Sequence, residues 1–351
     1  MIRSYSTTIR RKEMDAVLTC MVDEKIGPGE LNIRLIQSVK DFFKCDGAVA
    51  FRSPAIALKY ALKALDSPAG SCVMLSALAP SWQIVALEDL GYVPLVLDVD
   101  ETTGLVTADI VSNGIKNGGR FLLLHETQGI MPDMDALTAL GIPVIEDISQ
   151  NPGAVVHTGS ENGNSAEGRH AGSFGVFTIL GLEEHDVITA GGGAVLMAPG
   201  RREWIPLKKF TDSAPLTDLL PDLNSALAWV ELREFPKNET VRREIFTLFQ
   251  RSCMTGRHKL FVRDMDGAST MCSFPVVLSS AYKDVKQYTD RKDVEIRPAY
   301  ENSVIALRDE QLSASCIHAK SLYLRCVLFP LYPRLTRSET TRIVKVLGTL
   351  P

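Results

Sequence analysis

Short apolar runs alternate with amphipathic stretches through the first two thirds of the chain, and no other feature constrains the fold as strongly. The runs predict strands, and the stretches between them predict helices. A strand at 48–51, for example, precedes a helix over 55–65, whose Leu58, Leu62 and Leu65 fall on one face. The other predicted strands lie at 72–78, 94–99, 121–124 and 143–148, and the other helices at 82–90 and 133–140.

Several predicted strands are apolar nearly throughout, as at 121–124, and do not alternate with polar residues. This pattern is typical of a strand that is covered on both faces. We therefore expect an α/β fold with a mainly parallel central sheet and helices on both faces. Ligands of such sheets lie beyond the carboxyl ends of the strands. The polar strand endings at His125-Glu126, Asp147 and Gln150 therefore mark the expected site.

The 351 residues predict two domains, at about 150 residues per domain. A helical stretch over 223–251 leads into a region of different character, with strands at 274–278 and 294–297 and helices over 307–324 and 337–347. We expect a large domain over 1–250 and a small α+β domain over 251–351. Packing of the N-terminal segment on the small domain is an alternative.

Composition excludes several classes of partner. Lys plus Arg number 38 against 42 for Asp plus Glu, which gives a formal charge of −4 and no basic field for nucleic acid. No apolar run reaches the roughly 20 residues that span a bilayer. Basic residues near the N-terminus have no apolar stretch after them, so we expect neither a membrane span nor a secretory signal.

The seven cysteines are odd in number, scattered, and contain no C-x-x-C motif. This usage is typical of a reduced, cytosolic protein. No set of His, Glu and Cys has the spacing of metal ligands. We expect a cytoplasmic protein without a metal site.

Three candidate features each have two interpretations. The Asp147 carboxylate can pair with a protonated heterocycle or a sugar hydroxyl, or it can cap the next helix. His125 at a strand end is either a ligand contact or a satisfied core histidine. The glycines at 191–193 either let the backbone approach a ligand or form a tight hairpin.

Motifs spread over nearly the whole chain resemble, in order, those of the DegT/DnrJ/StrS family of sugar aminotransferases. They are the segments at 26–29, 42–51, 91–104, 133–135, 142–147 with Gln150, 172–175, 296–298 with Tyr300, and 329–333. The resemblance implies the fold type I architecture of aspartate aminotransferase. It also implies a homodimer that uses pyridoxal phosphate (PLP) on nucleotide-linked keto-sugars.

The chain departs from this pattern where the family forms its covalent bond to PLP. The family's lysine follows its Gly-Ser-Phe-Gly motif by eleven residues, and Asp186 stands at that position here. No lysine occurs between Lys116 and Lys208, so no shift of the alignment supplies one. The family's phosphate-binding threonine and serine correspond to Ala55 and Gly181.

Other cofactor contacts are lost as well. The asparagine and arginine that the family's partner subunit contributes fall at Thr217 and Leu219. Each lost charge-assisted phosphate contact forfeits about 1.5–3 kcal/mol. What persists is Asp147, which the resemblance implies to be the partner of the pyridinium nitrogen. We expect a vestigial cofactor pocket formed by Asp147, Gln150, Ala55, Gly181 and His125.

Our main hypothesis is a pseudoenzyme that binds no cofactor. It would act as a binding or regulatory protein of sugar-nucleotide or polysaccharide metabolism, with a nucleotide sugar as ligand. We expect a homodimer, because the interface would otherwise expose apolar residues, namely Leu216, Leu219, Leu220 and Trp229. A mixed dimer with an active paralogue that supplies a lysine is an alternative.

The alternative class is an enzyme that requires PLP or pyridoxamine phosphate (PMP). A relative within the family replaces the lysine by histidine and acts as a 3-dehydratase on a nucleotide sugar. His185 precedes Asp186, and a one-residue slip would make it the catalytic base. An ordinary aminotransferase is the other enzyme hypothesis, although it lacks a residue that forms the imine.

The segment at 157–171 is rich in Gly, Ser, Asn and Glu and predicts a surface loop. It makes this region about ten residues longer than in the family. The segment is either a lid or partner-binding loop, or a plain surface insertion. Its charged and imidazole side chains are those of Glu161, Glu167, Arg169 and His170.

Overall fold

The computed structural model describes residues 1–156, 168–254, 256–263, 267 and 269–351. Most of the predicted loop at 157–171, including Glu161 and Glu167, therefore lies outside the described residues. Arg169 and His170 lie inside them and form a short strand against Val155–Val156.

The described strands form three sheets. In chain order they are β1 (Gly47–Phe51), β2 (Cys72–Ser76), β3 (Val93–Leu97), β4 (Phe121–His125), β5 (Val144–Asp147), β6 (Val155–Val156), β7 (Arg169–His170), β8 (Phe177–Gly181), β9 (Ala194–Ala198), β10 (Phe274–Val277), β11 (Arg297–Pro298) and β12 (Cys326–Phe329). The central sheet has the order β1-β9-β8-β5-β4-β2-β3. Only β9 runs antiparallel to its neighbours within this sheet, which confirms the prediction of a mainly parallel sheet.

The described helices are α1 (Arg11–Val22), α2 (Glu30–Phe43), α3 (Pro54–Ala64), α4 (Ser81–Asp89), α5 (Ala108–Lys116), α6 (Met134–Thr138), α7 (Arg201–Thr211), α8 (Asp222–Cys253), α9 (Tyr282–Asp290), α10 (Val304–Leu307), α11 (Asp309–Leu312), α12 (Ile317–Arg325) and α13 (Arg337–Leu347). A single 3-10 turn spans Thr127–Gly129. None of the described helices is both long and apolar enough to cross a membrane.

Helices cover both faces of the central sheet, as predicted. Leu123 of β4 and Ile145 of β5 pack with Leu58 of α3 in one core cluster. The alternate residues Leu122 and Val144 point to the other face and join a cluster with α5 and α6. Because each strand buries apolar side chains on both faces, its sequence does not alternate.

The helix α8 extends without interruption over 32 residues, although Pro236 lies inside it. It contacts α1 and α2 beside the central sheet and α13 of the C-terminal region. At its start, the Asp222 carboxylate accepts hydrogen bonds from the backbone N–H groups of Gly29, Leu31 and Asn32, between 2.8 and 3.1 Å. Asp222 thus caps α2, whose own N-cap is a glycine without a side chain.

The second sheet has the order β10-β12-β11. The predicted strand at 294–297 is wrong in extent, because only Arg297–Pro298 pairs with β12. Val294 instead forms an isolated bridge to Ile2 of the N-terminal segment. The predicted helix over 307–324 is three short helices, α10, α11 and α12, because the backbone leaves helical geometry at Arg308 and Cys316. The domain boundary at 250/251 stays a prediction.

Candidate functional site

A pocket of about 300 Å³ lies beyond the carboxyl ends of β4 and β5, where the parallel-sheet rule predicts a site. Five of the predicted residues line it: His125, Asp147, Gln150, His185 and Asp186. Ala55 and Gly181 do not belong to the lining, although Pro54 does. The N-terminal segment also lines the pocket, through Ser4, Tyr5, Ser6 and Thr8.

Asp147 is buried at the end of β5, and hydrogen bonds from the protein occupy both of its oxygens. Oδ2 accepts from Gln83 Nε2 at 2.8 Å and pairs with His125 Nδ1 at 2.9 Å. Oδ1 accepts from the backbone N–H of Ser149 at 3.1 Å and from the Ser149 hydroxyl. A carboxylate has about four lone-pair sites. Four donors of the protein therefore already meet that capacity.

The electrostatics favour an ionised Asp147. Burial by itself raises the pKa of a carboxyl group. The charge of His125 and the hydrogen bonds from His125 and Ser149 more than offset burial, so the pKa of Asp147 lies below its usual value. His125 is 4% exposed and both lines the pocket and pairs with Asp147. The structure therefore fits the interpretation of a satisfied core histidine, and a ligand contact by His125 stays a prediction.

Asp186, which the resemblance aligns with the family's lysine, has its carboxyl group in the pocket wall. Oδ2 accepts the backbone N–H of Glu183 at 2.8 Å. Burial raises the pKa of Asp186 well above its usual value, and the charges of Asp147 and Glu183 raise it further. The carboxyl of Asp186 therefore keeps its proton to a higher pH than Asp147, whose pKa is lowered.

Ser149 joins Asp147 to the strand end at Gly181. Its hydroxyl donates to Asp147 and accepts the backbone N–H of Gly181 at 2.8 Å. A Cβ atom at position 181 would lie 2.6 Å from Ser149 Oγ and also closer than 3.0 Å to Asp186. No side chain, including that of serine, fits at position 181 unless a neighbour moves.

The N-terminus of α3, where the resemblance places phosphate contacts, offers few free donors. Pro54 is the first helical residue and has no N–H group. The Ser53 hydroxyl accepts the N–H of Ile56 at 3.2 Å and caps the helix itself. Ala55 contributes no side-chain donor. These residues therefore offer few donors to a phosphate group, and the loss of the phosphate anchors stays a prediction.

His185 faces the N-terminal segment. Its ring packs edge-on against Tyr5, with centroids 4.4 Å apart, and the Tyr5 hydroxyl donates to the Glu184 carbonyl oxygen. Partial burial and the charge of Arg297 lower the pKa of His185. The imidazole is therefore mostly neutral near pH 7.

The other predicted features support the walls of the site. Gln150 Oε1 accepts the backbone N–H of Gln128 at 2.6 Å, so its side chain orders the turn after β4. The glycines at 191–193 all have positive φ and precede β9, which matches the hairpin interpretation. Arg169 stacks on Phe174, with its guanidinium carbon 3.9 Å from the ring centroid.

The predicted dimer residues are only partly exposed. Leu216 is 68% exposed, and Leu219 and Trp229 are half-buried. Leu220 is 1% exposed and packs in the core of its own chain, so the expectation that it would otherwise face solvent is wrong. Its side chain turns inward against Gly193, beside β1.

Sequence reasoning missed Gln83, which donates to Asp147 from α4 without lining the pocket. It also missed three lining residues, namely Arg242 from α8 and Tyr5 and Ser149 from loops. Arg297 carried a signal, because it lies in one of the motifs that resemble the family. Within the described part of the chain, no group of three His, Cys, Asp or Glu residues is arranged to hold a metal ion.

The model of the DegT/DnrJ/EryC1/StrS aminotransferase family matches residues 7–203 and 216–348. The aminotransferase TlmJ from Streptoalloteichus hindustanus superposes with a TM-score of 0.87 at 17% identity, covering 99% of this chain and 98% of that chain.

Two further solved structures are similar. A GDP-4-keto-6-deoxymannose-3-dehydratase variant with bound GDP-perosamine has a TM-score of 0.84 at 16% identity, covering 99% of this chain and 100% of that one. PseC from Helicobacter pylori, an aminotransferase involved in the biosynthesis of pseudoaminic acid, has a TM-score of 0.82 at 14% identity, covering 99% and 98%. At these identities the structures show the fold, and they confirm the prediction of fold type I.

Proposed function

This chain belongs to the DegT/DnrJ/EryC1/StrS aminotransferase family, and we propose that it binds a nucleotide-linked sugar without holding PLP. The proposal rests mainly on Asp147, because four donors of the protein occupy its carboxylate. The pocket at the edge of the sheet is nevertheless open to another ligand, because a few polar groups in a concave site are enough to bind one.

The residues present do not fit PLP at three points. A pyridinium nitrogen at Asp147 would have to displace Gln83 or His125. Asp186 has no amine with which to form an imine. At the phosphate end, Pro54 lacks an N–H group and Ser53 caps the helix itself. We therefore derive no reaction step through the cofactor.

A nucleotide-linked sugar suits the pocket by its chemistry. The carboxyl of Asp186, whose pKa is raised, can form a hydrogen bond with a sugar hydroxyl, and the neutral imidazole of His185 can accept one from another hydroxyl. The apolar faces of Trp82 and Tyr332 also line the pocket and can pack against a sugar or base ring. The matched dehydratase structure, which contains GDP-perosamine, supports this class of ligand.

The test is thermal unfolding of the purified chain with UDP-, GDP- and dTDP-linked sugars, and separately with PLP and PMP. We expect a shift with at least one sugar nucleotide, because a ligand at 100 times its Kd stabilises the native state by about 2.7 kcal/mol. We expect no saturable shift with PLP or PMP, and no borohydride-reducible adduct in the pocket. A saturable PLP or PMP shift without any sugar-nucleotide shift contradicts the proposal.

A second candidate function is that of a PMP-dependent dehydratase in which His185 is the catalytic base. It is supported by one observation, namely that a mostly neutral His185 lines the same pocket as Asp147. Cofactor-dependent turnover of a 4-keto-sugar nucleotide, lost in His185→Ala and kept in His318→Ala, would establish this candidate. His318 is a suitable control because it lies on α12 beside Asp98 and does not line the pocket.

We also propose a homodimer and a cytoplasmic location. Exposed apolar residues near the start of α2 and before α8 support the dimer: Ile26 at 57%, Ile33 at 67% and Leu216 at 68% exposure.

Seven unpaired cysteine thiols support a cytoplasmic location, because the cytoplasm is a reducing compartment.

A further inference from the structure

Arg242 is a buried cation at the pocket that no described acceptor satisfies. The residue is 6% exposed, it lies on α8, and its side chain lines the pocket. The buried Nη1 atom has no hydrogen-bond partner among the described residues. A buried guanidinium without a partner costs free energy, and such a group in a native structure requires an explanation.

The neighbouring carboxylates do not supply that partner. The Thr8 hydroxyl donates to Glu231 Oε2. Glu239 Oε1 accepts the backbone N–H of Met271 at 2.9 Å and pairs with Arg243 Nε at 3.1 Å. Both carboxyls act on Arg242 through their charge, yet neither forms an ion pair with it in the part of the chain that the structure describes.

A second arginine lies in the same pocket. Arg297 comes from β11, and its Nε atom is also buried without a partner among the described residues. Its guanidinium carbon lies 5.9 Å from the ring centroid of Tyr5. The charge of Arg242 also acts on the Tyr5 hydroxyl, so the N-terminal segment passes close to both cations.

We propose that Arg242 and Arg297 form an oxyanion subsite that binds a phosphoryl or carboxylate group of the ligand. Guanidinium groups present paired N–H donors that match the geometry of these two anions. The subsite rests on the proposed function, because it gives an anion-binding region to the same pocket that the Asp147 and Asp186 carboxyls line. A diphosphate-linked sugar offers groups for both, namely its hydroxyls and its phosphoryl oxygens.

The experiment measures binding of inorganic phosphate, uridine diphosphate and succinate by calorimetry, together with thermal unfolding. Arg242→Met removes the charge at similar length, and Arg251→Met is its matched control, because Arg251 is exposed at the other end of α8. We expect Arg242→Met to raise the Kd of the tightest anion about tenfold or more, and Arg251→Met to leave it unchanged. Succinate binding alone would identify a carboxylate site, and binding of phosphate or uridine diphosphate a phosphoryl site.

Stability without ligand provides an independent readout. Removal of a buried, unpaired cation should leave the melting temperature of Arg242→Met equal to or above that of the native chain. A clear fall in melting temperature, with unchanged anion affinity, would show a structural ion-pair role and overturn the subsite.

The two proposals fail in different ways. If a sugar nucleotide binds the native chain and Arg242→Met equally well, the subsite is wrong and the proposed function stands. If the anions bind in an Arg242-dependent manner but no sugar nucleotide binds, the subsite stands and the proposed function is wrong. No anion binding to the native chain overturns the subsite.

Discussion

Gly181 lies directly against Asp186, so that a Cβ atom at position 181 would come closer than 3.0 Å to the Asp186 carboxyl oxygen. The missing side chain at 181 thus makes room for the carboxyl group at 186. The sequence presents these as two separate departures from the family's pattern. In the structure the two positions lie in direct contact, so we expect the side chain that fits at one to depend on the residue at the other.

This dependence predicts a coupling between substitutions. Gly181→Ser should destabilise the native chain by about 1–3 kcal/mol, because the added atoms overpack the space against Asp186 and Ser149. In an Asp186→Ala background part of that space is free, so the same substitution should cost less. Urea unfolding of the two single variants and the double variant measures the difference. Strictly additive costs would show that the two positions are independent.

The raised pKa of Asp186 predicts a dependence of stability on pH. Its pKa is raised in the folded chain, so the unfolded chain loses this proton first as pH rises above about 3.9. Stability contributed by Asp186 is therefore full below that pH and is lost as pH rises toward the folded pKa. The stability of Asp186→Asn relative to the native chain should therefore rise as pH increases above about 4, by at most about 1.4 kcal/mol per pH unit, because an amide has no proton to lose. A difference that stays constant with pH would contradict the raised pKa of Asp186.

Restoring the lysine alone should not restore the cofactor. In Asp186→Lys, Gln83 and His125 still occupy Asp147, and Pro54 still lacks its N–H group. We expect no stoichiometric, borohydride-reducible PLP adduct at position 186 by mass spectrometry. The matched control is Asp212→Lys on the exposed end of α7, which reports nonspecific imine formation. An adduct at 186 well above that control would show that the pocket still accepts PLP.

Much of the fold could be predicted because strands buried on both faces are apolar throughout. The predicted strand at 121–124 is Phe121–His125, and its pairing with β5 brings His125 to Asp147. Gln83 could not be predicted, because its contact depends on how α4 is rotated against the sheet. Arg242 is another such case, since its neighbours on α8 give no sign that one side chain turns into a pocket. The three short helices between 304 and 325 were missed because Arg308 and Cys316 break the helix without a Gly or Pro signal.

The proposed dimer predicts which apolar residues matter. Ile33→Glu with Leu216→Glu should shift sedimentation from dimer toward monomer, because both side chains are about two-thirds exposed within one chain. Leu324→Glu is the control, because Leu324 is similarly exposed at 58% but lies on α12. A native chain that sediments as a monomer at all concentrations would refute the dimer.

Glu126 and Glu146 lie side by side behind the pocket and are both fully buried. Burial raises the pKa of both carboxyls, and the charge of Glu146 raises that of Glu126 further, so we expect Glu126 to be protonated in preference to Glu146. Glu146 accepts the backbone N–H groups of Gly172 at 2.9 Å and Phe174 at 2.8 Å, and also that of Gly175. It therefore holds the loop that leads into β8 and needs both of its oxygens as acceptors.

The two glutamates should respond differently to the same conservative change. Glu126→Gln keeps a donor toward Glu146 and should be neutral or stabilising at pH 7, since an amide has no proton to lose as pH rises. Glu146→Gln replaces one acceptor oxygen by an NH₂ group that faces backbone N–H donors, and should cost about 1–3 kcal/mol. Urea unfolding at pH 5 and pH 7 measures both variants. Equal losses would mean that the proton is not held on Glu126, and that the order of this loop does not depend on an ionised Glu146.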